Sequence, residues 1–342
     1  MPSNVPTEPP SSTGRDWVHL LTKYRLPSAK RGMYELAVTL VPLVALWVLS
    51  WLALSVSIWL TLIIAVPAAG FLVRVFMIQH DCGHGAFFRR RATNDWVGRV
   101  LGVLTLTPYD VWRRSHAVHH ATTGNLDQRG IGDICTLTVD EYQALTWRGR
   151  LSYRLYRHPL VLFGLGPGYV FMLQNRLPLG VTRGEWKYWL SAMATNLGIA
   201  LFIVGMMALV GVKPFISVHL PIVLLASTIG VWLFYIQHQF EDTHWEQQAD
   251  WDVHDAALHG SSHYDLPHVL RWFTANIGLH HVHHLCSRIP YYRLPDVLRD
   301  FPELAQVKRI TLIESFRYTK LRLWCSKQKR LVTFRDVNRT GG

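Results

Sequence analysis

Residues 36–79 read LAVTLVPLVALWVLSWLALSVSIWLTLIIAVPAAGFLVRVFMIQ, and Arg74 is the only charged residue among them. A helix crossing the hydrocarbon core takes about 20 apolar residues. The stretch therefore holds two spans, about 35–54 and 57–79, folded as a hairpin near Leu54 to Ser57. Tyr188 to Gln237 repeats the pattern with Lys213 as its only charge. Lys213 stands beside Pro214, which marks the turn between spans at about 188–211 and 216–237. The expected fold class is all-α: an integral membrane protein with four transmembrane helices in two hairpins.

The composition of the whole chain agrees. Of 342 residues, 49% are hydrophobic and 17% charged, against about 25% charged in an average soluble chain. The formal net charge is +12. Nucleic-acid binding is one reading of such a balance. Here the 35 Lys and Arg follow topology instead: nearly all lie before the first hairpin, between the hairpins or after the second. By the positive-inside rule, both termini and the middle segment are expected in the cytoplasm, in the inner membrane of the cell. Cys82, Cys135, Cys286 and Cys325 form no CxxC pair and read as reduced thiols.

The expected organisation has three parts. Residues 1–33 are a disordered tail, rich in Pro, Ser and Thr up to Gly14, and a basic pre-membrane segment; 34–300 are the membrane domain; 301–342 are a basic cytoplasmic tail. That tail carries Lys308, Arg309, Lys320, Arg322, Lys327, Lys329 and Arg330. It could lie on anionic lipid, dock an acidic redox partner, or be solvated. Leu160 to Leu173 is apolar but too short to span and is broken by Gly164, Gly166, Pro167 and Gly168; it reads as interfacial or re-entrant, or as a cap helix.

Eighteen histidines are the compositional outlier, and they cluster. His80 and His84 form HxxxH; His116, His119 and His120 form HxxHH; His280, His283 and His284 form a second HxxHH. Residues at i and i+3 or i+4 share a helix face, so each cluster projects its imidazoles together. All three fall on the expected cytoplasmic side, forming a helical cap beneath the membrane. Catalytic zinc uses about three protein ligands; eight imidazoles suit two metals of higher coordination with positions open to O2. His238 ends the fourth span on the same side and is a ninth candidate. His281 is at the wrong helical phase, and His244, His254, His259, His263 and His268 have no ligand-like spacing. Asp81, Asn125, Asp127, Asp242 and Asn276 are candidates to orient the imidazoles from behind. A metal transporter would place ionisable residues inside its spans, and these spans are nearly free of them.

The stretches QHDCGHGAFF (79–88), HHATTGN (119–125), QHQFED (237–242) and GLHHVHHL (278–285), with HAVHH at 116–120, resemble the membrane-bound fatty acid desaturase family, and within it bacterial acyl-lipid enzymes of the delta-12 or omega-6 type. The resemblance covers about residues 36–298. It implies two irons held by His80, His84, His116, His119, His120, His280, His283 and His284, with His238 matching an extra histidine near the fourth span. It further implies O2 as co-substrate, insertion of a cis double bond into a fatty acyl chain, lipid-linked in the first instance, and electrons from ferredoxin or cytochrome b5. No HPGG motif occurs, so a separate donor protein is expected. A hydroxylase or ketolase acting on a lipid, carotenoid or alkane would share the same histidines and is the alternative.

Overall fold

The computed structural model describes residues 14–338; the expected disorder of residues 1–13 lies outside the described residues. Helix α1 (Gly14–Leu21) leads into α2 (Ala29–Ala53) and α3 (Ile58–His84), the first long hairpin. Next come α4 (Arg91–Leu104), α5 (Tyr109–Thr122), α6 (Val139–Ala144), α7 (Trp147–Tyr156) and, after a π-helical turn at Val161–Leu165, α8 (Gly166–Met172). The second long hairpin is α9 (Trp186–Val210) and α10 (Val212–His238). The cap is completed by α11 (Val253–His259), strand β1 (His263–Asp265), α12 (His268–Phe273), α13 (His280–Leu285), α14 (Leu294–Asp300), β2 (Arg309–Thr311), α15 (Leu312–Tyr318) and the hairpin β3 (Leu323–Cys325) with β4 (Arg330–Val332). The fold is helical with almost no sheet, as read from the sequence.

Helices α2, α3, α9 and α10 are long and apolar enough to cross a membrane. Helix α3 starts behind Ser57, whose side chain accepts from Trp59 N–H, and ends at Gly85, whose φ of 66° gives the left-handed stop that glycine allows. At 1.5 Å per residue, the 27 residues of α3 and of α10 run about 40 Å, longer than a hydrocarbon core of about 30 Å. The excess carries His80, His84 and His238 beyond the apolar zone. Among the four, α3 is the central helix: 56% of its most apolar window is buried, against 6% for α9. Gly70 and Gly198 mark close helix approaches, since a Cβ on either would lie 2.9 Å from Phe273 or Val103.

The one charge in the first apolar stretch is paired. Arg74 is buried, donates to Thr39 Oγ1 at 3.2 Å, and forms an ion pair with Glu35 of α2, itself buried. Tyr291 Oη donates to Glu35 at 2.9 Å, and the guanidinium lies 4.0 Å from the Trp272 ring. An unpaired charge there would be costly; paired, it ties the first hairpin to the cap.

Several expectations are corrected. The turn of the second hairpin is at Gly211, with φ of 90°, and not at Lys213 and Pro214, which belong to the first turn of α10; proline is tolerated there because those N–H groups have no partner within the helix. The expected pre-membrane segment is folded into the bundle: Leu21 is fully buried and Trp17 packs edge-on against Phe301 at 5.4 Å. Nor are residues 301–338 a tail. Strand β2 pairs in parallel with β1, β3 and β4 form an antiparallel pair, and Trp324 is buried against Trp245. The basic residues there alternate with Leu321, Leu323, Trp324, Leu331 and Val332, which supply a core. The run at 160–173 packs as the π-helical turn and α8 alongside α10 while Leu160, Leu165 and Leu173 stay exposed.

Candidate metal centre

Four helices deliver the nine expected imidazoles to one place. His80 and His84 stand on the last turns of α3, His116, His119 and His120 on α5, His238 at the end of α10, and His280, His283 and His284 on α13. They form two groups: His80, His84, His116, His120 and His283 in one, and His119, His238, His280 and His284 in the other. In each group one candidate ligand atom per residue lies within 4.8 Å of all the others. His116 Nε2 is 3.0 Å from His80 Nε2 and 3.1 Å from both His84 Nε2 and His120 Nε2; His283 Nε2 is 3.1 Å from His120 Nε2. In the second group His238 Nε2 is 3.2 Å from His119 Nε2 and 2.9 Å from His280 Nε2, and His284 Nε2 is 3.1 Å from His280 Nε2.

This arrangement fits metal ions. A neutral imidazole has one N–H and one lone pair, so four or five Nε2 atoms facing one centre cannot satisfy one another by hydrogen bonding; a cation at the centre satisfies all of them. Burial holds His116, His120, His280, His283 and His284 well below the ordinary histidine value, and neighbouring imidazoles add to the effect. The rings are thus kept neutral, the form that ligates. Both groups are made of nitrogen alone, without a carboxylate.

Outer partners fix the tautomers, because a ring nitrogen that donates outward leaves Nε2 free to ligate. His80 Nδ1 lies 3.2 Å from Asp81 Oδ1, and Asp81 Oδ2 accepts from Tyr291 N–H at 2.7 Å. His119 Nδ1 donates to Asp133. His238 Nδ1 faces the Gly260 carbonyl at 3.4 Å. Of the five outer candidates read from sequence, only Asp81 takes this role. Asn125 caps its own turn and bonds Gln248, Asp127 accepts from Gln248 N–H, and Asn276, at φ of 57°, donates to the Tyr291 carbonyl. Asp242 acts on Tyr318 instead. Asp133 was missed; it sits in a glycine-flanked loop with no spacing that points to His119.

The remaining histidines turn elsewhere. His281 is buried with Nε2 2.9 Å from the Leu304 carbonyl, and burial pushes it down to about 3. His263 faces the Ala305 carbonyl at 2.6 Å, while His244 and His259 pair with Asp255 at 3.4 and 2.8 Å.

A cavity of about 740 Å³ runs from the histidines between α3, α5, α8 and α10. His80, His116 and His280 border it, so it reaches both groups. Its walls are mostly apolar, among them Phe76, Leu162, Tyr169 and Phe234. Trp112 stacks on His116 at 4.6 Å and forms part of the wall. The size falls within that of small-molecule sites, about 300–1,000 Å³. Two all-nitrogen groups able to hold metal ions, bordering an apolar bore, could set a hydrocarbon chain beside those ions.

Comparison with known proteins agrees with this geometry. Residues 57–315 match the family described as fatty acid desaturase. A fatty acid desaturase of Bacillus subtilis is 44% identical over 311 residues, covering 91% of this chain and 88% of that protein. More distant relatives include the sn-1 oleoyl-lipid 12-desaturase of Synechocystis, 28% identical over 65% of this chain and 63% of its own, and that organism's sn-1 acyl-lipid omega-3 desaturase (ferredoxin), 28% identical over 73% and 67%.

Proposed function

This chain belongs to the fatty acid desaturase family and is an oxidoreductase of the membrane, and from that premise we propose that it inserts a cis double bond into the acyl chain of a membrane lipid at a di-iron centre. His80, His84, His116, His120 and His283 would hold one iron, and His119, His238, His280 and His284 the other. When bound, the irons supply the chemistry by which O2, two electrons, two protons and the two hydrogens of adjacent methylenes become two waters and a double bond. The electrons come from a separate ferredoxin or cytochrome b5. The name of one Synechocystis relative includes ferredoxin, and two such names specify acyl chains on lipids.

The observation that carries this reading is the apolar cavity bordered by histidines of both groups. The chain's own residues do the positioning. Phe76, Trp112 and Phe234 confine a hydrocarbon chain, and Asp81 and Asp133 keep His80 and His119 aimed at the metals. Selectivity among equivalent C–H bonds follows from which one these walls hold near the centre. The distribution of basic residues supports a centre and both termini on the cytoplasmic side of the inner membrane.

The test is the fatty-acid profile, with double-bond positions, of cells expressing this chain or its His283→Ala variant together with a working electron donor. An unsaturated species absent from the variant is expected. A double bond at the twelfth carbon matches the cyanobacterial resemblance; another position leaves the desaturase reading intact and changes only the register. A hydroxylated or oxo product would overturn desaturation in favour of the sister oxygenase chemistry.

A further inference from the structure

Glycine inside a helix is destabilising relative to alanine, so each one asks for a reason. Most glycines in the long helices have one. A Cβ at Gly70 would meet Phe273 at 2.9 Å, at Gly83 Trp112 at 2.7 Å, and at Gly198 Val103 at 2.9 Å. Gly230 of α10 has none of this kind. No atom lies within 4 Å of an added Cβ, and its φ is not left-handed. Gly205 of α9 is equally open, but it is exposed on the outside of the bundle and does not border the cavity. Gly230 borders the cavity. Neither the backbone nor a packed neighbour excludes a side chain there; the space it leaves is cavity.

Its depth gives that space a meaning. Gly230 stands eight residues before His238 on one continuous helix, about 12 Å below the metal centre. The cavity continues past it to Ser227 and Val223, about two further turns. This deep arm lies between helices long and apolar enough to cross a membrane, where a polar headgroup would be costly, so it suits the methyl-terminal part of a chain. Resting on the desaturase reading above, we propose that Gly230 is a specificity-determining residue: by leaving the bore open at this depth, it sets how many carbons can extend beyond the reacting methylenes. A side chain at 230 would project into the bore and cut off the arm below it.

The experiment expresses the full chain in a host supplied with shorter and longer saturated acids and reads unsaturated products by chain length and double-bond position. Gly230→Ala, Gly230→Leu and Gly230→Phe are compared with wild type and with Gly205→Leu, which adds the same bulk on the outer face. The ratio of short-chain to long-chain product is expected to rise in the order Ala, Leu, Phe, reaching at least about tenfold in Gly230→Phe, the scale on which fitted pockets discriminate single methylenes. Gly205→Leu should keep the wild-type ratio. An unchanged product spectrum in Gly230→Leu and Gly230→Phe at intact total activity overturns the proposal. So does a parallel loss at every chain length that is already present in Gly230→Ala. Either outcome leaves the desaturase reading standing, whereas wild type that yields no unsaturated product removes the reading itself.

Discussion

The five-nitrogen group draws on α3, α5 and α13, and the four-nitrogen group on α5, α10 and α13. Both HxxHH motifs are divided between them in the same way. His116 and His120, four apart, go to the first group and His119 crosses to the second; His280 and His284, four apart, go to the second and His283 crosses to the first. At 3.6 residues per turn, positions four apart differ by only about 40° around a helix, while adjacent positions differ by about 100°. Each motif therefore serves both groups from one helix. The groups differ in what stands behind them. Asp81, behind His80, is buried and held by a backbone N–H, whereas Asp133, behind His119, is about one-fifth exposed on a loop. One outer partner is part of the core; the other can be removed without opening it.

The largest effects should come from breaking one group at a time. His84→Ala attacks the five-nitrogen group and His284→Ala the four-nitrogen group. Each should lower desaturated product more than the about 10–100-fold typical of outer partners, and metal analysis of the purified protein should show one of two ions lost. A variant that keeps both metals and full activity would remove that histidine from the set. Asp81→Ala and Asp133→Ala probe the next layer. Both should weaken metal retention against a chelator by about 10–100-fold. Asp81→Ala should lower the melting temperature more, because it strands both His80 Nδ1 and the buried Tyr291 N–H, where Asp133→Ala strands His119 Nδ1 alone, each at about 1–3 kcal/mol. Equal melting of the two variants would erase the contrast between them.

Acidity offers a third test. In the metal-free protein His116, His120, His280, His283 and His284 sit well below 6.5 because they are buried, whereas the unfolded chain takes up protons at about 6.5. The unfolded state then binds more protons, so stability is full above about pH 6.5 and is lost as pH falls below it. Thermal melts of metal-free protein in detergent at about pH 7.5 and 5.5 should show the lower value at the lower pH; identical melts would mean the imidazoles are not held neutral. The smallest change is expected of Tyr291→Phe. It removes the hydroxyl bond to Glu35 but keeps the backbone N–H on Asp81. It should cost about 1.5 kcal/mol of stability, the low end for a bond to a charged group, and leave the metal content at wild-type level.

Much of this was legible in the chain because it depends on local period and composition. Two nearly uncharged stretches announce the four long helices, and helical spacing brings each motif's imidazoles to one side. His238 was legible from its place at the end of an apolar stretch. What escaped depended on partners distant in sequence. Arg74 stood out as a lone charge, yet its counter-ion Glu35 lies one residue outside the apolar window, and its aromatic cover, Trp272, is 198 positions away. Asp133 meets His119 only because the loop after α5 folds back.

By itself, then, the sequence determined the number of long helices, the nine imidazoles that come together and the side of the bundle they share, since hydropathy and 3.6-residue periodicity act along one segment at a time. Only the tertiary structure decided how the nine divide into five and four, which carboxylates stand behind them, and how deep the cavity runs past Gly230. Those are distances between helices, set by how α3, α5, α10 and α13 pack, and no single segment carries them.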